Sequence, residues 1–76
     1  MDTAVKRGVY RHFKGRYYLV LGEAVHSETN ETMVVYQPLY GESRWFVRPR
    51  AMFLETVERD GARIARFEYA GDTLPL

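Results

Sequence analysis

The sequence predicts one small all-β domain, five short strands closing into a barrel with a single 3₁₀ or α turn before the last strand. Three observations lead there. The chain has 76 residues, 46% hydrophobic and 14% aromatic, which suits one dense core and leaves no room for a second domain. Its apolar runs are short, rich in valine, tyrosine and phenylalanine, and punctuated by Gly, Pro, Asn and Asp. Gly22 sits inside the longest run, where a glycine marks the bulge or bend that curls a short sheet.

In residues 8–14, GVYRHFK, Tyr10 and His12 alternate with Val9, Arg11 and Phe13, a strand that ends at the turn residue Gly15. Residues 17–25, YYLVLGEAV, carry apolar side chains on both faces, as a strand covered on one side and partly on the other does. The polar stretch 26–32, HSETNET, reads as a hairpin loop with Asn30 in a left-handed position. Residues 33–40, MVVYQPLY, form the third strand, and Pro38 suggests an edge or a bulge. After a turn at 41–43, RWFVR makes a fourth strand that Pro49 ends, and RAMFLE has the spacing of a helical turn with Met52 and Phe53 inward. Asp60-Gly61 predicts a tight hairpin between residues 55–59 and 62–69, the second run fitting a strand or a helical turn equally well. The domain is expected over 8–69, with an N-terminal arm at 1–7 and a frayed tail at 70–76.

Several function classes fall away on composition. The chain has no cysteine, so disulfides, thiolate zinc sites and cysteine nucleophiles are excluded. The 11 basic and 10 acidic residues leave a net charge of +1, too balanced for a protein that grips nucleic acid mainly by counterion release. Lys6, Arg7, Arg11, Lys14 and Arg16 make a basic first third that reads as a solvated face. The short polar start and the lack of a long apolar run lead us to expect a cytoplasmic protein without a membrane partner, a monomer or weak homodimer.

GVYRHFKGRYYLVLGEAVHSE, VVYQPLYG and WFVRPRAMFLETV, in that order, resemble a small bacterial family known as domain of unknown function 1653, over roughly residues 6–67. The family pattern falls here on Gly8, Tyr10, His12, Lys14, Gly15, Tyr18, His26, Glu28, Tyr36, Leu39, Tyr40, Gly41, Trp45, Arg48, Pro49 and Phe53. The resemblance implies an SH3-like barrel and no activity.

The residues with most to offer a ligand are Tyr10, His12, Tyr18, His26, Tyr36, Tyr40 and Arg48. Rigid rings beside a forked cationic donor make a recognition surface, although in so small a domain several of the rings must also be core. The expected function is a binding module that engages a peptide, a nucleic-acid segment or an anionic small ligand through this aromatic, Arg and His face, with no cofactor. Trp45 and Val47 are expected to face the core, and Arg48, one residue on, to face outward. Two other readings stand beside it. One is a minor metal-dependent or His/Glu enzyme using His12, His26 and Glu23 or Glu28, although a straight second strand would hold the histidines some 30 Å apart. The other is a structural or dimerisation domain. His26-Ser27-Glu28 contains triad residue types, but neighbours on an extended chain point to opposite faces. No catalytic residue and no metal ligand is assigned.

Overall fold

The computed structural model describes residues 4–73. The elements run β1 (Gly8–His12), β2 (Tyr17–Val25), β3 (Thr32–Pro38), β4 (Phe46–Pro49), α1 (Arg50–Phe53), β5 (Thr56–Arg59), β6 (Ala62–Ala65) and β7 (Phe67–Gly71). The protein is mostly β. Five strands form an antiparallel sheet in the order β4-β3-β2-β1-β7, and β5 and β6 form a separate hairpin. β4 and β7 are the two edges of the sheet, so it curls around a core without closing into the expected barrel.

A bulge in β2 determines which side chains enter that core. Val20 pairs with Tyr36 and Gly22 with Val35, leaving Leu21 as the extra residue. Before the bulge, Tyr18 and Val20 share the inner face with Pro38 and Tyr36; after it, Glu23 lies on that face opposite the fully buried Val34. The apolar residues on both faces of the run thus reflect a change of parity at the bulge. Glu23, brought inward, accepts the Val5 N–H at 2.9 Å and pairs with Arg50 at 3.4 Å, tying the N-terminal segment and α1 to the sheet.

The core is Val5, Tyr10, Val20, Val34, Tyr36, Phe53 and Phe67, with Tyr18 packed against it. α1 is one helical turn whose Phe53 lies flat on Phe67, ring centroids 4.3 Å apart and planes 4° off parallel. Pro49 begins the turn at φ −53°, a value its ring enforces. Met52, expected inward beside Phe53, is exposed, since one turn set on its first face can bury only one of two adjacent residues. Pro38 is tolerated in an inner strand because β4 reaches only as far as Tyr36, so the end of β3 has a single neighbour.

Trp45 and Val47 do share a face, but it is the outer one: they are 69% and 59% exposed. Phe46 takes the inward position against Tyr36, 6.1 Å between ring centroids, and Arg48 follows it onto the core side opposite Val34. The expected alternation is present with its sign reversed, because β4 is an edge strand on which hydrophobicity does not mark the covered face.

The ambiguous run after the hairpin is two strands broken at Arg66, whose N–H donates to the Glu55 carbonyl and whose carbonyl accepts from Phe13. Asp60 and Gly61 both have positive φ, 52° and 80°, as a type I′ turn requires. β7 continues through Gly71, taking up the first residues of the expected tail; residues 74–76 lie outside the described part. Among the described residues no helix is long and apolar enough to cross a membrane.

Two stability outcomes follow. Phe53→Ala should cost about 3 to 5 kcal/mol in chemical denaturation, and Trp45→Ala no more than about 1 kcal/mol; a reversed order would place the core on the wrong side of β4. Gly8 has φ +138°, and a Cβ there would lie 2.8 Å from Tyr69 Cε1 and 3.0 Å from the Gly71 carbonyl oxygen. Gly8→Ala should therefore destabilise by roughly 1 to 3 kcal/mol, lowering the melting temperature, whereas an unchanged melt would mean that β1 and β7 are not held this closely.

Candidate functional site

The inner face of the sheet carries most of the residues singled out from sequence. In β1, Tyr10 and His12 point inward; in β2, Tyr18; in β3, Tyr36; in β4, Arg48. All of them but Tyr10 approach Phe67. Its ring lies 5.0 Å from His12, 5.5 Å from Tyr18 and 6.2 Å from Tyr36, and the Arg48 guanidinium carbon is 5.8 Å from its centroid. Tyr10 is core, its hydroxyl donating to the Lys6 carbonyl at 2.8 Å. Tyr40, just beyond β3, joins the set through its hydroxyl, 2.7 Å from that of Tyr18.

His26 does not join. It sits in the β2–β3 loop, where its Nδ1 accepts the N–H groups of Glu28 and Thr29 at 3.2 and 3.4 Å and organises the turn around Asn30. Among the described residues no group of three His, Asp or Glu side chains is placed to hold a metal ion. The two histidines flank β2 at opposite ends, so the metal reading lacks the convergence it requires.

The charges that shift His12 are all of one sign. Burial, then the cations of Arg66, Lys14 and Arg48, hold its imidazole below the ordinary histidine pKa. Its Nδ1 accepts the Lys14 N–H at 3.1 Å, which leaves Nε2 as the protonated nitrogen of the neutral ring. The Nε atoms of Arg48 and Arg66 are buried without a hydrogen-bond partner, and among the described residues neither guanidinium has a carboxylate within ion-pair distance. Two half-buried guanidiniums, each with an unpartnered Nε, thus act on one imidazole. Such groups are ordinarily satisfied, and an unpaired donor in a covered position is costly.

Beside this cationic cluster is a cleft of about 210 Å³ lined by Tyr18, Tyr36, Pro38, Tyr40 and Phe46. Burial, then the hydrogen bond to Tyr40, pushes Tyr18 up to about 12, so its hydroxyl stays protonated at neutral pH. Arg16 covers Tyr40, 4.3 Å from its centroid. A larger cleft of about 350 Å³ between the β2–β3 loop and α1 is lined by Glu31, Thr32, Arg50, Ala51 and Leu54. Its arginine is already paired with Glu23, so it presents no comparable unmet donor.

Arg66, Phe67, Phe46, Pro38 and Arg16 belong to this region and were not among the residues chosen from sequence. Arg66 and Phe67 were hidden by the ambiguous run that contains them, which breaks at Arg66, sets the Phe67 ring 5.0 Å from His12 and leaves the Arg66 cation acting on the same imidazole. Phe46 was hidden by the wrong sign of alternation in β4.

No curated protein matches the chain. A family model described as a protein of unknown function, DUF1653, matches residues 8–69. A crystal structure of a DUF1653 protein from Bordetella bronchiseptica is similar, at 39% identity and a TM-score of 0.86, with 95% of each chain covered. The family match over most of the chain, together with this neighbour, places the chain in the DUF1653 family.

Proposed function

We propose that this domain is a small binding module that holds an oxyanion between Arg48, Arg66 and His12, with the tyrosine-lined cleft as the neighbouring wall. The observation that carries the reading is the pair of buried, unpartnered Arg48 and Arg66 Nε groups, neither guanidinium having a carboxylate within ion-pair distance among the described residues. The unpartnered groups there are donors on cationic side chains, so the complementary ligand is an acceptor with negative charge. A phosphate or carboxylate oxygen entering between the side chains would satisfy donors that the described protein leaves unmet.

A small anion suits the site better than a polyanion. Outside the cluster most basic side chains are engaged locally: Lys6 lies over Tyr69, Arg50 pairs with Glu23, Arg44 with Glu42, and Arg63 donates to Thr56. Arg59 donates to the Phe13 carbonyl. They do not line up as a track for a phosphate backbone.

Titration of the protein with inorganic phosphate, followed by amide and imidazole NMR shifts, tests the proposal. Shifts should converge on His12, Phe67, Arg48 and Arg66. Arg48→Met should abolish them while leaving the melting temperature unchanged or slightly higher, because it removes an unmet donor and a like charge beside Arg66. A large fall in melting temperature would make Arg48 structural, and shifts scattered over the surface lysines and arginines would mean an adventitious ion only.

The same geometry sets a pH dependence. The folded state depresses the His12 pKa, so the unfolded chain takes up the proton first. Stability is complete above the unfolded value of about 6.5 and declines as the pH falls toward the folded value. His12→Gln should flatten this decline. Bound phosphate should raise the His12 pKa, and a His12 that titrates at or above about 6.5 in the free protein would contradict the arrangement.

A further inference from the structure

The aromatic cleft adjoins the cationic cluster at fixed spacing, and the two together define a composite ligand. We propose that the Tyr18, Tyr36, Pro38, Tyr40 and Phe46 cleft receives the flat ring of a small phosphate monoester, of the nucleoside monophosphate class, whose phosphate lies between Arg48 and Arg66. The inference rests on the anion-binding reading above and goes beyond it by naming what the anion is attached to.

Four features select this chemistry. Phe46 and Arg48 are two residues apart on the same face of β4, which separates ring wall and guanidinium by about 7 Å along the strand. Tyr18 and His12 repeat the juxtaposition across β2 and β1, with ring centroids 6.1 Å apart. The ligand must therefore carry its oxyanion a short linker away from its ring.

The charge is matched by a phosphate monoester. Arg48 and Arg66 supply two permanent positive charges and His12 is held toward its neutral form; a monoester carries about −1.5 to −2 at neutral pH, whereas a single carboxylate would leave a net positive charge in a half-buried place. The cleft, at about 210 Å³, is below the usual size of a drug-like ligand site and suits one ring system. Its walls include the rings of three tyrosines, Tyr18 and Tyr36 standing at 72° to one another and Tyr18 and Tyr40 at 80°, so a flat ring can meet one wall face-on and another edge-on.

The cations also exclude the usual alternative occupant of an aromatic cage. Arg16 already covers the Tyr40 ring at 4.3 Å, and Arg48 follows Phe46 along β4. A quaternary ammonium or methylated lysine would enter against these charges and lose the cation–π gain that such cages provide.

Calorimetric titration of the full chain with adenosine 5′-monophosphate and with ribose 5-phosphate separates ring from phosphate. The nucleotide should bind at least roughly tenfold more tightly than the sugar phosphate. Tyr40→Ala and Phe46→Ala, each at a position about two-fifths exposed and so compatible with folding, should lower nucleotide affinity to the level of ribose 5-phosphate and leave the latter unchanged. Equal affinity for the two ligands, or an equal loss of both in the variants, would overturn the ring subsite while the anion site stands. Binding of neither ligand, together with silence toward inorganic phosphate, would remove the anion site and this inference with it.

Discussion

The Phe53–Phe67 stack is the contact on which the rest of the structure turns. Phe67 begins an edge strand and Phe53 ends a single helical turn, two elements with little capacity to hold themselves: four residues of helix have one α-type hydrogen bond to offer, from the Leu54 N–H to the Arg50 carbonyl. Laid face to face at 4.3 Å, the rings fix both elements against the inner side of the sheet. Tyr10, Tyr18, Tyr36 and His12 then meet one or both rings. In a domain with so little surface to bury, this ring cluster supplies what a larger aliphatic core would.

The same cluster makes the candidate site possible. A polar wall would have offered Arg48 an acceptor and closed the site by satisfying it. Ring faces offer instead a weak attraction for the cation and no hydrogen-bond acceptor of comparable strength. Arg48 is held near Phe67 with its Nε unmet, and Arg66 is brought toward His12 by the strand break before β7. The domain thereby keeps two cations acting on one imidazole, with unmet donors, at some cost to its own stability.

The basic residues of the first third behave differently. Lys6, Lys14 and Arg16 lie over Tyr69, Phe13 and Tyr40, where their aliphatic stems cover rings that the small sheet cannot. Their presence says little about a polyanionic partner.

The approximate positions of the strands up to Asp60-Gly61, the β2 bulge, the Asn30 and Asp60-Gly61 turns and the helical turn after Pro49 were determined by the sequence, because each depends on neighbours within a few residues: alternation, glycine and asparagine at positive φ, proline before a turn. So was much of the site, since rings and an arginine concentrated in a short chain have few places to go. Which face of β4 turns inward was decided only by the tertiary structure, through its register with Val34 and Tyr36; Trp45 and Phe46 are adjacent and equally apolar to a pattern reading. So was the separation of His26 from His12, and so was the convergence of Arg66 on His12 from a distant part of the chain. Alternation specifies that neighbours oppose one another, but only packing against the rest of the sheet decides which of the two is buried.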